Sequence, residues 1–200
     1  QLKFKQMKLL LISNSTNAGE DFLQHTIDDI GLFLKGTEKA LFLPYAAVSL
    51  SFNEYEQMVQ EKFKPLGIEV ESLHRHKNPK VAIREAQAFV VGGGNTFRLL
   101  KMIQQLDIIE TLRFRVLDGA PYVGWSAGAN VACPTICTTN DMPIVEPDNL
   151  SAFNLIRFQI NPHFNDFKPE GFSGETREER INEYLIMDPF SYVVGLREGS

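Results

Sequence analysis

The chain has 200 residues, of which 44% are hydrophobic and 22% are charged, enough to bury the core of one domain. Its formal net charge is −5 and it contains no run of five or six basic residues, which argues against nucleic-acid binding because backbone phosphates need clustered Lys and Arg. No apolar run is long enough for a transmembrane helix or a signal peptide, so we expect no membrane partner.

Two cysteines, Cys133 and Cys137, are present, and no second Cys/His pair follows at the spacing of a zinc site. We therefore expect two reduced thiols, no metal ion and a cytoplasmic location. Residues 1–6 precede Met7 and are interpreted as a tag or extension. The whole of 1–200 is otherwise expected to form a single domain.

Short apolar runs alternate with helical patterns along the chain. Helical spacing predicts a helix over 20–34, the capping box Ser51–Glu54 predicts a second one that ends near Pro65, and Asn78 with Pro79 begins a third. Strands are predicted at 8–13, 40–43, 68–73, 89–91 and 122–125. This alternation predicts an α/β fold with a mainly parallel sheet that is covered on both faces.

Three polar loops directly follow predicted strands: Ser13–Gly19, Gly92–Thr96 and Ser126–Asn130. In open α/β sheets, ligands bind beyond the carboxyl ends of the strands. These loops are therefore expected to form one site together.

The third loop begins within Gly124–Gly128, a G-x-S-x-G pattern after a strand. This is typical of a nucleophile elbow, in which Ser126 is the nucleophile and the backbone N–H of Ala127 faces a developing oxyanion. The alternative is a Gly/Ala turn that serves only helix–strand packing.

The glycines of Gly92–Thr96 permit positive φ angles and expose N–H donors. The segment lacks the endings of a P-loop and of a dinucleotide fingerprint. We therefore predict an oxyanion loop, with the Gly94 N–H as the second donor.

Of the four histidines, His163 is the expected general base, because Pro162 fixes the backbone before it. His25 is expected within the first helix, and His74 and His76 in a solvated turn. The orienting acid stays open between Asp141, in a polar turn between Ser126 and His163, and the rivals Glu146, Asp148, Asp166 and Glu198. The short separation of Ser126 and His163 argues against the α/β-hydrolase scaffold.

Several long segments, taken in order, closely resemble the peptidase E family of α-aspartyl dipeptidases. They are Leu11–Thr16, Val91–Phe97, Gly124–Asn130, Thr138–Val145, Gln159–Phe164 and Gly174–Arg180. The resemblance implies a flavodoxin-like three-layer sandwich related to class I glutamine amidotransferases. It also implies a serine peptidase that hydrolyses Asp-X dipeptides through an acyl-enzyme, without a metal or cofactor.

Carried onto this chain, the resemblance implies a triad of Ser126, His163 and Asp141, with Glu198 as the alternative acid. We prefer Asp141 because its turn is close in sequence to both partners. The oxyanion donors match Gly94 and Ala127.

Substrate binding is assigned to Arg177, together with Asn95 and Thr176. Arg177 would offset the repulsion between an acidic protein and a dianionic aspartyl group by binding its carboxylate in two parallel hydrogen bonds. The alternative is that Arg177 pairs with Glu178 or Glu183 on a solvated helix.

Relatives usually continue past the position of Glu198, so the C-terminal part of the family domain is expected to be absent from this sequence. One alternative function is a cyanophycinase-like peptidase, which shares the scaffold and the serine. The other is a truncated, inactive binding protein, which the early end of the sequence suggests. Small peptides are the expected partners of a monomer or homodimer.

Overall fold

The structure is a computed structural model that describes residues 6–168, 170–171 and 173–200. Most of the predicted extension at 1–6 lies outside the described residues. The strands are β1 Leu9–Ile12, β2 Lys39–Leu43, β3 Glu69–Ser72, β4 Ala88–Val91, β5 Tyr122–Trp125, β6 Gln159–Phe164 and β7 Val193–Arg197. The α-helices are α1 Ile27–Phe33, α2 Phe52–Phe63, α3 Pro79–Glu85, α4 Thr96–Gln105, α5 Ile109–Leu117, α6 Ala127–Asn130 and α7 Arg177–Met187.

Five strands form a parallel sheet in the order β1-β5-β4-β2-β3, and β6 pairs in parallel with β7 in a second sheet. Side chains alternate between the two faces of the larger sheet. In β2, Leu41 and Leu43 join the cluster that includes residues of α3, α4 and α5, whereas Ala40 and Phe42 join the cluster of α1 and α2. The predicted α/β three-layer sandwich with a mainly parallel sheet is confirmed.

Local sequence signals set several element boundaries. The Ser51 hydroxyl accepts from the Glu54 N–H while the Glu54 carboxylate accepts from the Ser51 N–H, which completes the predicted capping box of α2. The Asn78 side chain accepts from the Val81 N–H at the start of α3. Because these caps satisfy N–H groups that have no partner inside the helix, they locate its first residue.

The helix predicted over 20–34 is shorter, and α1 begins only at Ile27. Leu23 has a φ of 56° and donates its N–H to the Ser15 carbonyl at 2.6 Å. A left-handed residue cannot continue a right-handed helix, so 20–26 forms turns. These turns still bury Leu23 in the core, which accounts for the helix-like apolar spacing.

Strand β5 lies between β1 and β4. The loops after these three strands therefore share one edge of the sheet, as the sequence predicts.

Burial separates the two free cysteines. Cys133 is buried, its Sγ accepts from the Ile160 N–H, and burial raises the pKa of its thiol to about 12. Cys137 is exposed. Within the described ranges, no group of three or more His, Cys, Asp or Glu side chains could hold a metal ion, and no helix has the length and apolarity needed to cross a bilayer.

Candidate active site

Ser126 occupies a sharp turn between β5 and α6, with φ 52° and ψ −112°. Its N–H donates to the Ile12 carbonyl at 2.9 Å, which ties the turn to the end of β1. A Cβ atom at Gly124 would lie 2.4 Å from the Gly128 oxygen, and one at Gly128 would lie 2.1 Å from the Val91 oxygen. Both glycines are therefore required by close backbone contacts, and the turn has the geometry of a nucleophile elbow.

His163 lies beside this serine. Its Nε2 is 2.8 Å from the Ser126 Oγ. The imidazole comes from an irregular part of β6, where the pairing with β7 shifts register between Asn161 and Phe164 and His163 has a φ of 55°. Asn140 holds the preceding residue by donating to the Pro162 carbonyl at 2.7 Å. The expected general base and the nucleophile are thus in hydrogen-bond contact.

Glu198 meets the other nitrogen of the same imidazole. Its Oε1 is 3.1 Å from His163 Nδ1, and its side chain is 60% exposed. Glu198 directly follows β7, which pairs with the strand that carries His163. Ser126, His163 and Glu198 therefore form a continuous line from hydroxyl to imidazole to carboxylate.

Asp141, our preferred acid, has different partners in the structure, and its role as the acid of the triad stays a prediction. Its Oδ2 accepts from the backbone N–H and the hydroxyl of Thr96, at 2.7 and 2.6 Å. Thr96 is the first residue of α4, where N–H groups lack partners inside the helix. Asp141 thus stabilises the helix that follows the glycine loop.

The other three histidines have partners away from Ser126. His25 lies in a turn before α1, with its side chain buried. His74 lies in the short turn after β3, and His76 directly follows that turn. Their contacts are His25 with Glu20, His74 with Ser72 and Asn53, and His76 with Glu71.

The glycine loop after β4 packs closely against the chain after β2. Gly94 has a φ of 134°, and a Cβ atom there would lie 2.3 Å from the Ala46 oxygen, which itself accepts from the Asn95 N–H at 2.8 Å. The N–H groups of Gly94 and Ala127 have no protein acceptor within the described part of the chain. These donors are available, and their role as an oxyanion hole stays a prediction.

Tyr55 supports this loop from behind and was missed by the sequence reasoning. Its hydroxyl donates to the Gly93 carbonyl at 3.2 Å and accepts from the indole N–H of Trp125 at 3.0 Å. Trp125 precedes the nucleophile, so one phenol links the glycine loop to the elbow. A tyrosine in an amphipathic helix gives no sequence signal of such a role.

The polar residues assigned to the substrate are partly engaged already. Asn95 caps α4 through its Oδ1 and donates Nδ2 to the Met142 carbonyl at 2.8 Å. Thr176 caps α7 in a capping box with Glu179. Their substrate contacts stay predictions.

Arg177 is the first residue of α7, and neither Glu178 nor Glu183 pairs with it. Burial lowers the pKa of its guanidinium, the nearby Arg180 lowers it further, and Glu198 acts in the opposite direction. Within the described chain this guanidinium has no hydrogen bond or ion pair. A half-buried cation near the line of Ser126, His163 and Glu198 is thus free to bind an anion.

A cavity of about 500 Å³ opens beside the nucleophile, within the usual range for small-molecule sites. Ser126 and His163 line one part of it. The large apolar side chains of its wall are those of Phe22, Val48, Leu50 and Met58. Its described lining contains no Asp, Glu, Lys or Arg side chain, so Arg177 lies outside it.

The chain is similar to known peptidases in both sequence and structure. The model of peptidase family S51 matches residues 9–200. Peptidase E of Salmonella paratyphi A is 49% identical over 194 residues, which cover 97% of this chain and 85% of that protein. Peptidase E of Salmonella typhimurium (strain LT2) is 48% identical over the same shares.

Solved structures share the fold. A crystal structure from Listeria monocytogenes EGD-e superposes with a TM-score of 0.66 at 23% identity, covering 95% of this chain and 90% of that one. A peptidase from an acI-B1 actinobacterium gives a TM-score of 0.66 at 18% identity, covering 98% of this chain and 84% of that one.

Proposed function

The chain belongs to peptidase family S51, and from this premise we propose that it is a serine exopeptidase that releases N-terminal Asp from dipeptides. The observation that carries the proposal is the line from the Ser126 hydroxyl through the His163 imidazole to the Glu198 carboxylate, at 2.8 and 3.1 Å. A nucleophile in contact with a base, and a base oriented by a third group, is the arrangement that acyl transfer needs.

In the first half of the reaction, the Ser126 oxygen attacks the peptide carbonyl carbon and His163 Nε2 takes the hydroxyl proton. Glu198 accepts the hydrogen bond from Nδ1–H and stabilises the imidazolium that forms. The N–H groups of Gly94 and Ala127 bind the carbonyl oxygen as it becomes negative. The tetrahedral intermediate collapses when His163 gives its proton to the leaving amine, which departs and leaves an ester on Ser126.

In the second half, His163 removes a proton from water, and the resulting hydroxide attacks the ester carbonyl. Collapse of the second tetrahedral intermediate returns the proton from His163 to the Ser126 oxygen and releases the acid product. Each half uses the same oxyanion donors, so one site serves both steps.

The unpaired guanidinium of Arg177 is the reason to expect an acidic residue on the acyl side of the scissile bond. The protein carries a net charge of −5, so an aspartyl carboxylate needs a local cation, and this guanidinium has no protein partner in the described chain. A planar guanidinium can bind a carboxylate through two parallel hydrogen bonds. Asn95 and Thr176 would complete the subsite for the aspartyl group.

The uncharged cavity favours a different kind of side chain in the residue after the scissile bond, which departs with the leaving amine. If the aspartyl group faces Arg177, the residue after the scissile bond lies against Phe22, Val48, Leu50 and Met58. Apolar walls favour an apolar side chain because its burial releases water. A cyanophycinase-like activity would need an acidic groove for arginine side chains, and this cavity has no carboxylate in its described lining.

A dipeptide panel tests the proposal. Wild-type protein is incubated with Asp-Leu, Glu-Leu and Leu-Leu, and the free amino acids are quantified. We expect cleavage of Asp-Leu at a kcat/KM far above the other two. Ser126→Ala should abolish turnover with folding intact, whereas Ser72→Ala, which removes a buried hydroxyl that hydrogen-bonds His74, serves as the control. Equal cleavage of all three peptides, or of none, rejects the aspartyl preference.

A further inference from the structure

The carboxylate of Glu198 is exposed, yet it lies 3.1 Å from His163 Nδ1. A long exposed side chain loses conformational entropy when it is held in one position. Its contact with the imidazole therefore depends on how firmly the backbone around Glu198 is placed. Besides the pairing of β7 with β6, the described contacts of that backbone run to the loop after β1.

One hydroxyl group of Ser13 links the backbone of His163 to the end of the strand that precedes Glu198. Its Oγ accepts from the His163 N–H at 2.9 Å and donates to the Leu196 carbonyl at 2.9 Å. Its own N–H donates to the Ser200 carbonyl at 2.8 Å. The residue is fully buried, so water does not compete for these bonds.

Asn14 holds the residue directly after Glu198. Its Oδ1 accepts from the Gly199 N–H at 2.8 Å. Its Nδ2 donates to the Thr16 carbonyl at 3.0 Å and to Asn17 Oδ1 at 2.8 Å, which fixes the orientation of the amide. Asn14 is 2% exposed, so this side chain is a rigid support.

We propose that Ser13 and Asn14, together called the 13–14 clamp, are positioning residues that keep the Glu198 carboxylate on His163. The clamp binds the backbone on both sides of Glu198, at Leu196, Gly199 and Ser200, and binds the backbone of the base through the same serine hydroxyl. It therefore sets the distance between acid and base. Neither clamp residue touches the reacting atoms, and the proposal rests on the proposed function only in giving Glu198 a catalytic role.

A double-mutant cycle tests this mode of action. If Asn14 acts through Glu198, then Asn14→Ala should lower kcat about tenfold or more, since small misplacements in a catalytic site are costly, while KM stays near the wild-type value. In a Glu198→Ala background, where position 198 offers no side-chain oxygen to His163 Nδ1, the same substitution should cause no further loss. A purely structural role of Asn14 predicts equal losses in both backgrounds.

Two readouts are measured for each variant: kcat and KM with Asp-Leu, and the rate at which Ser126 is labelled by a fluorophosphonate. The labelling rate reports nucleophile activation without a peptide. Non-additive losses in labelling support the clamp even if Asp-Leu is not a substrate. An unchanged labelling rate in Asn14→Ala, or additive losses, overturns the clamp even if Asp-Leu is cleaved.

Ser13→Ala is the second variant and should lower the same two quantities. Ser72→Ala is its matched control, because Ser72 is an equally buried serine, at the end of β3. We expect wild-type kcat and labelling in this control. If Ser13→Ala does not fold, Asn14→Ala carries the test, because it leaves the Ser13 bonds in place.

Discussion

Replacing each of the two candidate acids separately tests which one serves the base. Glu198→Gln removes the negative charge that faces His163 Nδ1 at 3.1 Å. Asp141→Asn makes the equivalent change at the carboxylate that binds Thr96. The geometry predicts that the first substitution impairs turnover and that the second has a small effect.

The size of the Glu198 effect follows from its exposure. A hydrogen bond to a charged group contributes about 1.5–3 kcal/mol. The Glu198 side chain is 60% exposed, so screening by solvent places its contribution near the lower end. About 1.5 kcal/mol corresponds to roughly a tenfold loss in kcat.

The tautomer of the base sets an upper bound on this loss. A buried Asp→Asn change in a serine protease costs about 10⁴-fold, because the amide stabilises the wrong imidazole tautomer. An exposed Gln at position 198 can rotate to present its oxygen to Nδ1–H. We therefore expect a loss of about 10- to 100-fold.

The assay is steady-state hydrolysis of Asp-Leu by wild type, Glu198→Gln and Asp141→Asn, with thermal unfolding measured in parallel. Asp141→Asn keeps an oxygen for the Thr96 N–H and should lose less than about fivefold in kcat. A larger loss from Asp141→Asn than from Glu198→Gln, at equal thermal stability, would refute the assignment of Glu198 as the acid.

Three further outcomes are expected. Arg177→Ala should lower kcat/KM for Asp-Leu roughly 10- to 100-fold through loss of charge-assisted contacts. Arg180 lies on the same helix with its side chain 69% exposed, and Arg180→Ala should leave kcat/KM unchanged. Equal effects of the two substitutions would contradict a substrate role for Arg177. Gly94→Ala should abolish most turnover, because the new Cβ atom would lie 2.3 Å from a backbone oxygen at a φ of 134°, while Gly36→Ala, also at positive φ but with open space around it, should cost only stability. Iodoacetamide at pH 8 should alkylate the exposed cysteine and spare Cys133, whose burial raises its thiol pKa to about 12; mass spectrometry that finds both thiols modified in the folded protein would contradict this.

Much of the fold can be predicted because its signals are local. The capping box at Ser51 and the Asn78 cap mark helix starts within a few residues, and buried strands read as apolar runs between turns. The prediction of a helix over 20–34 was wrong for 20–26, where the residue types do not indicate the backbone conformation. Leu23 adopts a φ of 56°, and a leucine there gives no local signal of it.

The candidate site also has residues that local patterns predict and one residue that they do not. Ser126 and the glycine loop follow strands directly, so the topology of a parallel sheet brings them together. The partner of His163 depends instead on the pairing of β6 with β7. No short sequence pattern predicts that these two strands pair, or in which register, so the position of Glu198 beside His163 could not be predicted. Distance in sequence favoured Asp141, whereas distance in space favours Glu198.

Trp125, whose indole N–H donates to the Tyr55 hydroxyl, is also an intrinsic fluorescent probe of the active site. Trp125 is the single tryptophan of the chain, is fully buried, and directly precedes the nucleophile. Intrinsic fluorescence excited at the red edge therefore comes from one indole beside Ser126. A change in its emission during labelling or unfolding reports the state of the elbow itself, with no added dye.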